Sequence, residues 1–291
     1  MKEAPSVARI GIGIVTYNRR EVLAATIEKV RRFTRHRAVD LVVADDGSTD
    51  GTLAWLRENG VPVVTGVNMG IAWNKNRALY LLSELLHCEA VILLEDDTQP
   101  AKAGWEADWI EAANLWGHAN FAAPWMTHLF VSGQGTLADP ILCGDVTAQC
   151  AVFSRESLLF GGFYDPRFKG YGHEHVEHTR RLVRVGFGGT DRVVDGKEQM
   201  RYKLLRGDLT VVDVPSFLDH AQAERNLAVA GPLMSDQTYR APWRDDNELK
   251  QFRSEMRSAL DSRPNGFALH GDVRTPNLGF GSRLRRLFGH G

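Results

Sequence analysis

The sequence has little of several features that assign a chain quickly to a class. It has no apolar run near the roughly 20 residues that a transmembrane helix needs, and residues 1–7 lack the apolar core of a signal peptide. The formal net charge is only −1, so no broad positive field draws the chain to nucleic acid. Its three cysteines form no CxxC motif, which favours reduced thiols. We therefore expect a cytoplasmic protein that does not bind nucleic acid.

The usual glycine-rich nucleotide loops are also missing. Gly11-Ile12-Gly13 begins a G-x-G pattern, but Thr16 stands where the third glycine belongs, and the pair lies inside an apolar strand instead of after it. No P-loop pattern occurs in the chain. These absences argue against a Rossmann dinucleotide site and against a P-loop phosphate site.

What the chain does have is a regular alternation of strand and helix patterns near its start. It has 291 residues, 43% hydrophobic and 24% charged, as in ordinary globular proteins. Strands are predicted at residues 9–15, 39–44, 61–65 and 91–94, with helices at 21–33, at 53–58 and around Leu79 to Leu86. This alternation with short loops predicts βαβ units and a parallel sheet flanked by helices, which is an α/β fold.

The rest of the chain is less regular. The patterns predict helices and strands in alternation, with a hairpin or loop over 130–140. The helices are predicted at 105–116, 155–160, 174–185 and 247–260, and the strands at 121–124, 146–154 and 211–214. Residues 221–246 are polar and read as irregular, which is too long for a routine connection, so we expect a functional lid or a disordered segment there.

Polar clusters follow each of the first four predicted strands, at residues 16–19, 45–52, 68–70 and 95–97. The carboxyl ends of parallel strands meet at one edge of a sheet, so these clusters should line one cleft. Glu95-Asp96-Asp97 places three carboxylates in a row, and they repel one another unless a cation lies among them. We expect a metal site there; a solvated surface turn is the alternative.

The acids after the second predicted strand have two interpretations. Asp46 can accept a hydrogen bond from a nucleobase or a ribose hydroxyl, and Asp45 beside it is a weaker candidate. Ser48 or Asp50 can cap the following helix instead, which needs only one such residue.

Taken in order, these motifs resemble those of the GT-A fold glycosyltransferases of family 2. The resembling segments lie within residues 9–188 and are IVTYNR (14–19), VVADDGSTDGT (42–52), NMGIAWNKNRAL (68–79), LLEDDTQP (93–100) and the block 151–188. The resemblance implies a Rossmann-like, mostly parallel sheet in one catalytic domain over 1–262. Within it, 1–100 form the nucleotide-sugar half and 101–262 the acceptor half, with 221–246 as a lid; 263–291 form a C-terminal tail.

The resemblance implies transfer of a sugar from a nucleotide-diphosphate donor, with UDP-sugars favoured, to a hydroxyl of a carbohydrate, glycolipid or other acceptor. A divalent Mn²⁺ or Mg²⁺ would be held mainly by Asp97 and by His220, with Asp219 as the alternative. Glu95 departs from the family's D-x-D pattern. The implied nucleotide-sugar contacts are Thr16, Tyr17, Asn18, Arg19, Asp46, Asn68, Gly70, Lys75, Asn76, Glu95 and Asp96.

On the acceptor side, the resemblance places the general base at the start of the helix in GYGHEHVEHTRR (170–181). Glu174 matches the first acid of the family motif, and a helix start lowers its pKa. His175 replaces the usual Asp or Asn and is the alternative base. We expect inversion by a single displacement, with Trp125 and Tyr171 near the acceptor. A zinc site is disfavoured, because Glu177 breaks the HExxH pattern.

Two rival functions remain at this stage. A sugar-nucleotide-forming nucleotidyltransferase needs a glycine-rich basic loop after the first strand, where this chain has TYNRR (16–20). A catalytically inactive sugar-binding protein is kept open by His175. The basic tail around Arg283 to Phe288 is interpreted either as a frayed end or as a weak contact with an anionic membrane. The sequence makes no prediction of the oligomeric state.

Overall fold

The structure is a computed structural model that describes residues 8–214, 219–263 and 266–270. The strands are β1 Ile10–Thr16, β2 Val39–Asp45, β3 Val63–Thr65, β4 Ala90–Glu95, β5 Thr98–Pro100, β6 His118–Phe121, β7 Phe130–Ser132, β8 Ile141–Cys143, β9 Cys150–Ser154, β10 Gly189–Val194, β11 Lys197–Leu205 and β12 Leu209–Val211. The helices are α1 Arg20–Phe33, α2 Thr52–Glu58, α3 Ile71–Tyr80, α4 Glu106–Trp116, α5 Arg155–Gly161, α6 Glu174–Arg184, α7 His220–Leu233 and α8 Asp246–Asp261. A π-helical turn over Leu81–Leu85 extends α3.

Ten strands form a central sheet in the order β3-β2-β1-β4-β9-β6-β11-β8-β7, with β10 beside β11. The first four are parallel, and their register sets Thr16 beside Asp45 and Val15 beside Glu95. Beyond β4, the antiparallel strand β9 separates β4 from β6. The predicted α/β sheet flanked by helices is thus confirmed, and the polar loops after β1, β2 and β4 share one edge.

The core lies on both faces of this sheet because alternate strand residues point to opposite sides. Ile12 and Ile92 join a cluster with α1 and α4, whereas Val42 and Val91 join a cluster with α3, α7 and α8. The helices therefore cover both faces, which explains the nearly continuous apolar runs of β1, β2 and β4. None of the helices among the described residues has the length and apolar character needed to span a membrane.

The two glycines in β1 serve helix packing. A Cβ added at Gly11 would lie 2.9 Å from Leu82 Cβ, and one at Gly13 would lie 2.9 Å from Ala78 Cβ. Both contacts are closer than real Cβ atoms show, so glycine lets α3 and its π-helical extension approach the strand. This contact accounts for a G-x-G pattern within a strand.

Several sequence-based boundaries were wrong. The predicted strand at 121–124 is β6 at His118–Phe121, and Pro124–Leu129 form a 3-10 helix after it. The predicted irregular segment 221–246 is mostly α7, and only the stretch before α8 lacks regular structure. The β10–β11 hairpin was not predicted at all; its turn contains Asp195 with a φ of 51°.

The tail also begins later than predicted. Phe267 is buried, and its carbonyl oxygen accepts a hydrogen bond from Leu41 N at 2.9 Å. Leu269 N in turn donates to Val39 O at 2.8 Å. This short segment fills the edge of β2 that the three-residue β3 does not reach. The basic stretch around Arg283 lies outside the described residues.

Candidate active site

The acidic strand end of β4 lies at the centre of the shared edge. Thr16, at the end of β1, donates through Oγ1 to Asp96 Oδ2 at 2.7 Å. Arg19 Nη1 donates to one oxygen of each acid, to Asp96 Oδ1 at 3.2 Å and to Asp97 Oδ2 at 3.2 Å. The structure therefore brings together four predicted site residues, because the parallel register of β1 and β4 sets their ends side by side.

The electrostatics of this cluster favour a further cation. Burial raises the pKa of Asp96 to about 6, although Thr16 and Arg19 act in the opposite direction. Burial and the neighbouring Glu95 charge raise the pKa of Asp97 as well, against the effect of Arg19. A raised carboxyl pKa means that the surroundings oppose the negative charge. One half-exposed arginine thus does not balance these carboxylates, and an oxygen-binding divalent cation fits their chemistry.

The described side chains alone do not complete the coordination of a metal ion at this site. In the described ranges, no group of three or more His, Cys, Asp or Glu side chains is arranged to hold a metal. The alternative ligand Asp219 caps α7, accepting from Gln222 N at 2.8 Å. His220 is exposed at the start of α7. Its predicted role stays a prediction, since the structure records no contact between it and Asp97. Mg²⁺ and Mn²⁺ sites with one or two carboxylates take their other ligands from water and phosphate.

Asp46 is held by the neighbouring loop. Its Oδ1 accepts from Met69 N at 3.0 Å and from Arg77 Nη1 at 2.8 Å, and its Oδ2 accepts from Gly70 N at 2.9 Å. Burial raises the pKa of Asp46 even so. Both oxygens are engaged, so Asp46 fixes the loop after β3 and has limited capacity to bind a base directly.

Asp45, the weaker sequence candidate, is less fully satisfied. Its Oδ2 accepts from Gly47 N at 3.1 Å, Ser48 N at 3.1 Å and Thr65 Oγ1 at 2.9 Å. Its Oδ1 is buried and has no hydrogen-bond partner among the described residues. A buried acceptor without a partner is uncommon, and because Asp45 is completely buried, a ligand would reach this oxygen only if the loop after β2 moved.

The loops after β1 and β2 are joined to each other. Asn18 Oδ1 accepts from Thr49 N at 2.7 Å, and Asn18 N donates to Ser48 Oγ at 2.8 Å. Asn18 adopts φ 52°, in the left-handed region that asparagine tolerates better than most residues. Tyr17 beside it is 47% exposed, so its ring is available to a ligand. Asp50 accepts from Thr52 N at 3.0 Å just before α2, but the N-cap residue of that helix is Gly51. The prediction that Ser48 or Asp50 caps α2 was therefore wrong.

The loop before α3 also touches the acceptor-side segment. Gly70 has φ 91°, and a Cβ there would come within 2.5 Å of Gly170 N. Ile71 N donates to Gly170 O at 3.1 Å. Asn68 is exposed at the same loop. Only glycine fits this crossing, which brings the loop after β3 against the segment that leads into α6.

Lys75 and Asn76 are completely buried, although both were predicted to contact the nucleotide sugar. Asn76 is buried, donating to Tyr164 O at 2.8 Å and accepting from Tyr164 N at 2.9 Å, so it holds backbone. Lys75 is fully buried between two acids, with Nζ 3.2 Å from Glu95 Oε1 and 3.4 Å from Glu174 Oε1. Burial alone would lower the pKa of Lys75, yet these carboxylates raise it. Lys75 therefore links the β4 strand end to α6.

Glu174 and His175 form a pair at the start of α6. His175 Nδ1 lies 3.2 Å from Glu174 Oε1, and Gly172 N donates to Glu174 Oε2 at 3.2 Å. Glu174 is only 1% exposed. Burial opposes its charge, but His175 and Lys75 lower its pKa far below the usual range. A carboxylate that the buried Lys75 already compensates is a weak base, and the half-buried His175 beside it is the other candidate.

Trp125 and Tyr171 are exposed, as acceptor contacts must be. Trp125 is 51% exposed on the 3-10 helix that follows β6, and Tyr171 is 46% exposed between the two glycines before α6. Because β6 runs parallel to β4, its carboxyl end lies at the same edge of the sheet. Their part in acceptor binding stays a prediction.

Sequence reasoning missed two residues of this region. Arg77 is fully buried in α3 and binds Asp46, and Glu255 on α8 binds Arg77. Nothing in the sequence indicated the first, because Arg77 follows the polar residues 74–76 and looks like part of a solvated helix face. The second lies 178 positions further along the chain, and no local pattern indicates such a pairing.

The comparisons with known proteins agree with this architecture. Residues 12–114 match the family model described as Glycosyl transferase family 2. A comparison with curated protein sequences finds no match. Among solved structures, the mannosyltransferase PcManGT from Pyrobaculum calidifontis, in complex with GDP-Man and Mn²⁺, superposes with a TM-score of 0.56 at 16% identity, over 97% of this chain and 81% of that chain.

A second solved structure, GalNAc-T7 with UDP, GalNAc and Mn²⁺, has a TM-score of 0.55 at 14% identity. It aligns with 87% of this chain, which spans 55% of that chain. At such identities the likeness shows the fold, so the first conclusion concerns the class: this is a GT-A fold enzyme architecture. The match of residues 12–114 to the family 2 glycosyltransferase model agrees with this fold, and both point to the class of the glycosyltransferases.

Proposed function

We propose that this enzyme transfers a sugar from a nucleotide-diphosphate donor to an acceptor hydroxyl, with a divalent cation held at the acidic end of β4. The observation that carries the proposal is the geometry of Asp96 and Asp97, two buried carboxylates at the end of a parallel strand that Arg19 Nη1 contacts at 3.2 Å each. Burial raises the pKa of both acids, which agrees with a site for a cation. The two related structures contain nucleotides and Mn²⁺, which supports the same ligand classes here.

On the donor side, the chain's own residues orient the nucleotide. Tyr17 supplies an exposed ring after β1, and Asn68 is an exposed side chain on the loop after β3. Asp97 and Asp96 would hold the cation, and Glu95 lies beside Lys75. Arg19 lies close enough to these acids to contact a diphosphate bound there. We favour a UDP-sugar, and GDP-sugars are the next class to test because GDP-Man occupies one relative.

The bound cation would neutralise the charge that grows on the departing nucleoside diphosphate. No protein acid then has to protonate the leaving group. The three carboxylates need only orient the donor and keep the cation in place.

On the acceptor side, the geometry favours His175 as the residue that takes the acceptor proton. Among the described residues, its Nδ1 pairs with Glu174, so Nε2 is the nitrogen left to face a substrate. Glu174 then orients the ring and stabilises the imidazolium, as a buried carboxylate does beside a catalytic histidine. Glu174 as the base itself remains the alternative. With the Glu174–His175 pair removing the proton, the acceptor oxygen attacks the anomeric carbon directly. We therefore propose a single displacement with inversion.

A panel of nucleotide sugars tests this function. Thermal unfolding is measured with UDP- and GDP-sugars, each with and without Mn²⁺, since a ligand stabilises the folded state according to its affinity. The expected result is a shift with one nucleotide class that depends on Mn²⁺. Product analysis then follows the matching donor with a hydroxyl acceptor, where a nucleoside diphosphate and a glycosylated acceptor are expected. A parallel incubation with a nucleoside triphosphate and a sugar phosphate tests the rival, because pyrophosphate release there would identify a nucleotidyltransferase. No nucleotide product in either incubation would indicate a binding protein.

A further inference from the structure

The C-terminal helix α8 is joined to the donor loop by a buried ionic network. Glu255 on α8 accepts from Arg77 Nε at 2.9 Å and from Arg77 Nη2 at 3.1 Å, a two-point pairing. Arg77 is fully buried in α3, and the Glu255 carboxylate is almost fully buried. Bidentate pairing of this kind fixes direction as well as distance.

The same arginine reaches the loop that we assign to the nucleotide. Its Nη1 donates to Asp46 Oδ1 at 2.8 Å, and its Nη2 donates to Val67 O at 2.9 Å. Asp46 in turn accepts from the backbone N–H groups of Met69 and Gly70. One continuous chain of hydrogen bonds therefore leads from α8 through α3 to residues 67–70.

Glu255 is also held from its own side. Trp73 Nε1 donates to Glu255 Oε2 at 3.0 Å, and Gln251 Nε2 donates to Glu255 Oε1 at 3.1 Å. The loop fits closely over this pair, because a Cβ at Gly66 would collide with the Glu255 carboxylate. The carboxylate thus has one position, and that position sets the place of Arg77.

We propose that Glu255 is a positioning residue for donor binding, acting through Arg77 and Asp46 on loop 67–70. This inference rests on the proposed function. It assigns a part of the donor site to a helix that lies outside the segment matching the family model, residues 12–114. Glu255 does not touch the donor itself. Its two-point pairing with Arg77 Nε and Nη2 keeps the guanidinium in the orientation that reaches both Asp46 and Val67.

The test compares Glu255→Gln with Glu248→Gln. Glu248 is likewise buried on α8, but its carboxylate pairs with Arg244 at 2.6 Å and 2.9 Å, so this control removes a similar ion pair from the same helix. Donor KM, kcat and the exchange of the Met69 and Gly70 amide hydrogens are measured for both. In E255Q we expect the donor KM to rise about 10-fold or more with kcat changed far less.

Amide exchange makes the test independent of turnover. The Met69 and Gly70 amides should exchange at least several-fold faster in E255Q than in E248Q, because Asp46 loses its fixed position. Equal donor KM and equal exchange in the two variants would overturn the inference. If E255Q does not fold, Gln251→Ala removes one contact of Glu255 and should move both readouts in the same direction; no movement would overturn it. A wild-type protein that binds no nucleotide would refute the proposed function, and the exchange result would still decide the inference.

Discussion

The two parts of the chain that we propose as the donor side and the acceptor side differ in how they are built. They comprise residues 8–100 and the described residues from 101 onward, respectively. In the first, β1 to β4 are all parallel, and each strand follows the previous one after a single helix. In the second, β11 pairs with β6 about eighty positions earlier, and β9 inserts between β4 and β6. On the donor side, consecutive parallel strands therefore bring the polar loops together. On the acceptor side, the positions of the polar groups depend on pairing between strands that are far apart in the sequence.

The two sides also handle buried charge differently. At the donor edge, Asp96 and Asp97 have raised pKa values because burial outweighs the help of Arg19. At the acceptor helix, Glu174 has a lowered pKa because His175 and Lys75 outweigh its burial. A carboxylate of the first kind gains from an added cation, whereas one of the second kind is already compensated. This contrast is why we assign the metal to β4 and the proton transfer to the pair on α6.

The largest effect should come from Asp97→Asn, which keeps the shape of the side chain and removes its charge. We expect kcat/KM to fall on the order of 1,000-fold, because the cation that neutralises the leaving group loses its main protein ligand. Steady-state kinetics at saturating Mn²⁺ measure this loss. Asp108→Asn, at an exposed position of α4, is the control; an equal loss there, or none at Asp97, would refute the assignment.

His175→Ala should reduce kcat by about 100-fold or more, as expected for loss of a general base. Glu174→Gln should also reduce kcat, because the ring loses its orienting partner. The comparison separates the two candidate bases: if Glu174→Gln abolished turnover while His175→Ala left it nearly intact, the carboxylate would be the base. Mn²⁺-dependent donor binding should persist in both variants.

Acid should destabilise the acceptor side through its buried histidines. Burial lowers the pKa of His118 to about 4, against its bond to Val152 O, and burial also lowers the pKa of His178. The unfolded chain binds protons at these histidines as the pH falls below about 6.5, while the folded chain does not, so stability is lost as the pH falls towards about 4. His118 alone accounts for about 3 kcal/mol at the lower limit.

Urea unfolding of the wild type and of His118→Gln between pH about 7.5 and about 4 measures that loss. The variant should be less stable at neutral pH and should lose less stability on acidification. His128→Gln, at an exposed position, should keep the wild-type dependence. Equal pH dependence in the wild type and in His118→Gln would contradict the neutral buried state of His118.

The smallest effect should come from Trp125→Ala. The ring is half exposed, so its removal should leave the unfolding temperature nearly unchanged. If the acceptor stacks on it, the acceptor KM should rise about 5-fold with the donor KM constant. Tyr239→Ala, a similarly exposed aromatic of the loop before α8, serves as the control. A rise in donor KM instead would place Trp125 on the donor side.

The same contrast explains what the sequence could predict. The apolar runs of β1, β2 and β4 ended where the structure ends them within a residue or two, and the acids after β4 share an edge with Thr16. Local pattern was enough there because the strands are buried on both faces. In the β10–β11 hairpin, β10 is largely exposed and β11 buries mainly alternate residues, so neither strand has a continuous apolar run. The segment 221–246 read as irregular because α7 is weakly amphipathic and contains Pro232.

Within the site, the sequence identified the residue types but not which of them are already engaged. Asp46 and Asn76 were predicted to contact the nucleotide, yet the structure gives their polar atoms to Arg77 and to the backbone of Tyr164. Asp45 was ranked below Asp46, yet it alone of the two keeps an unpaired oxygen. Hydrogen-bond satisfaction depends on tertiary neighbours, which motif spacing does not reveal.

The most direct test of the central claim is a titration of Mn²⁺ followed by electron paramagnetic resonance, with and without the nucleoside diphosphate selected by thermal shift. Free aqueous Mn²⁺ gives a strong signal that diminishes on binding. The account predicts that wild-type protein with the nucleotide removes one equivalent of Mn²⁺ from the free signal, and that Asp97→Asn with the same nucleotide removes no more than the nucleotide alone. Equal binding of Mn²⁺ by the wild type and by Asp97→Asn in the presence of the nucleotide would contradict it.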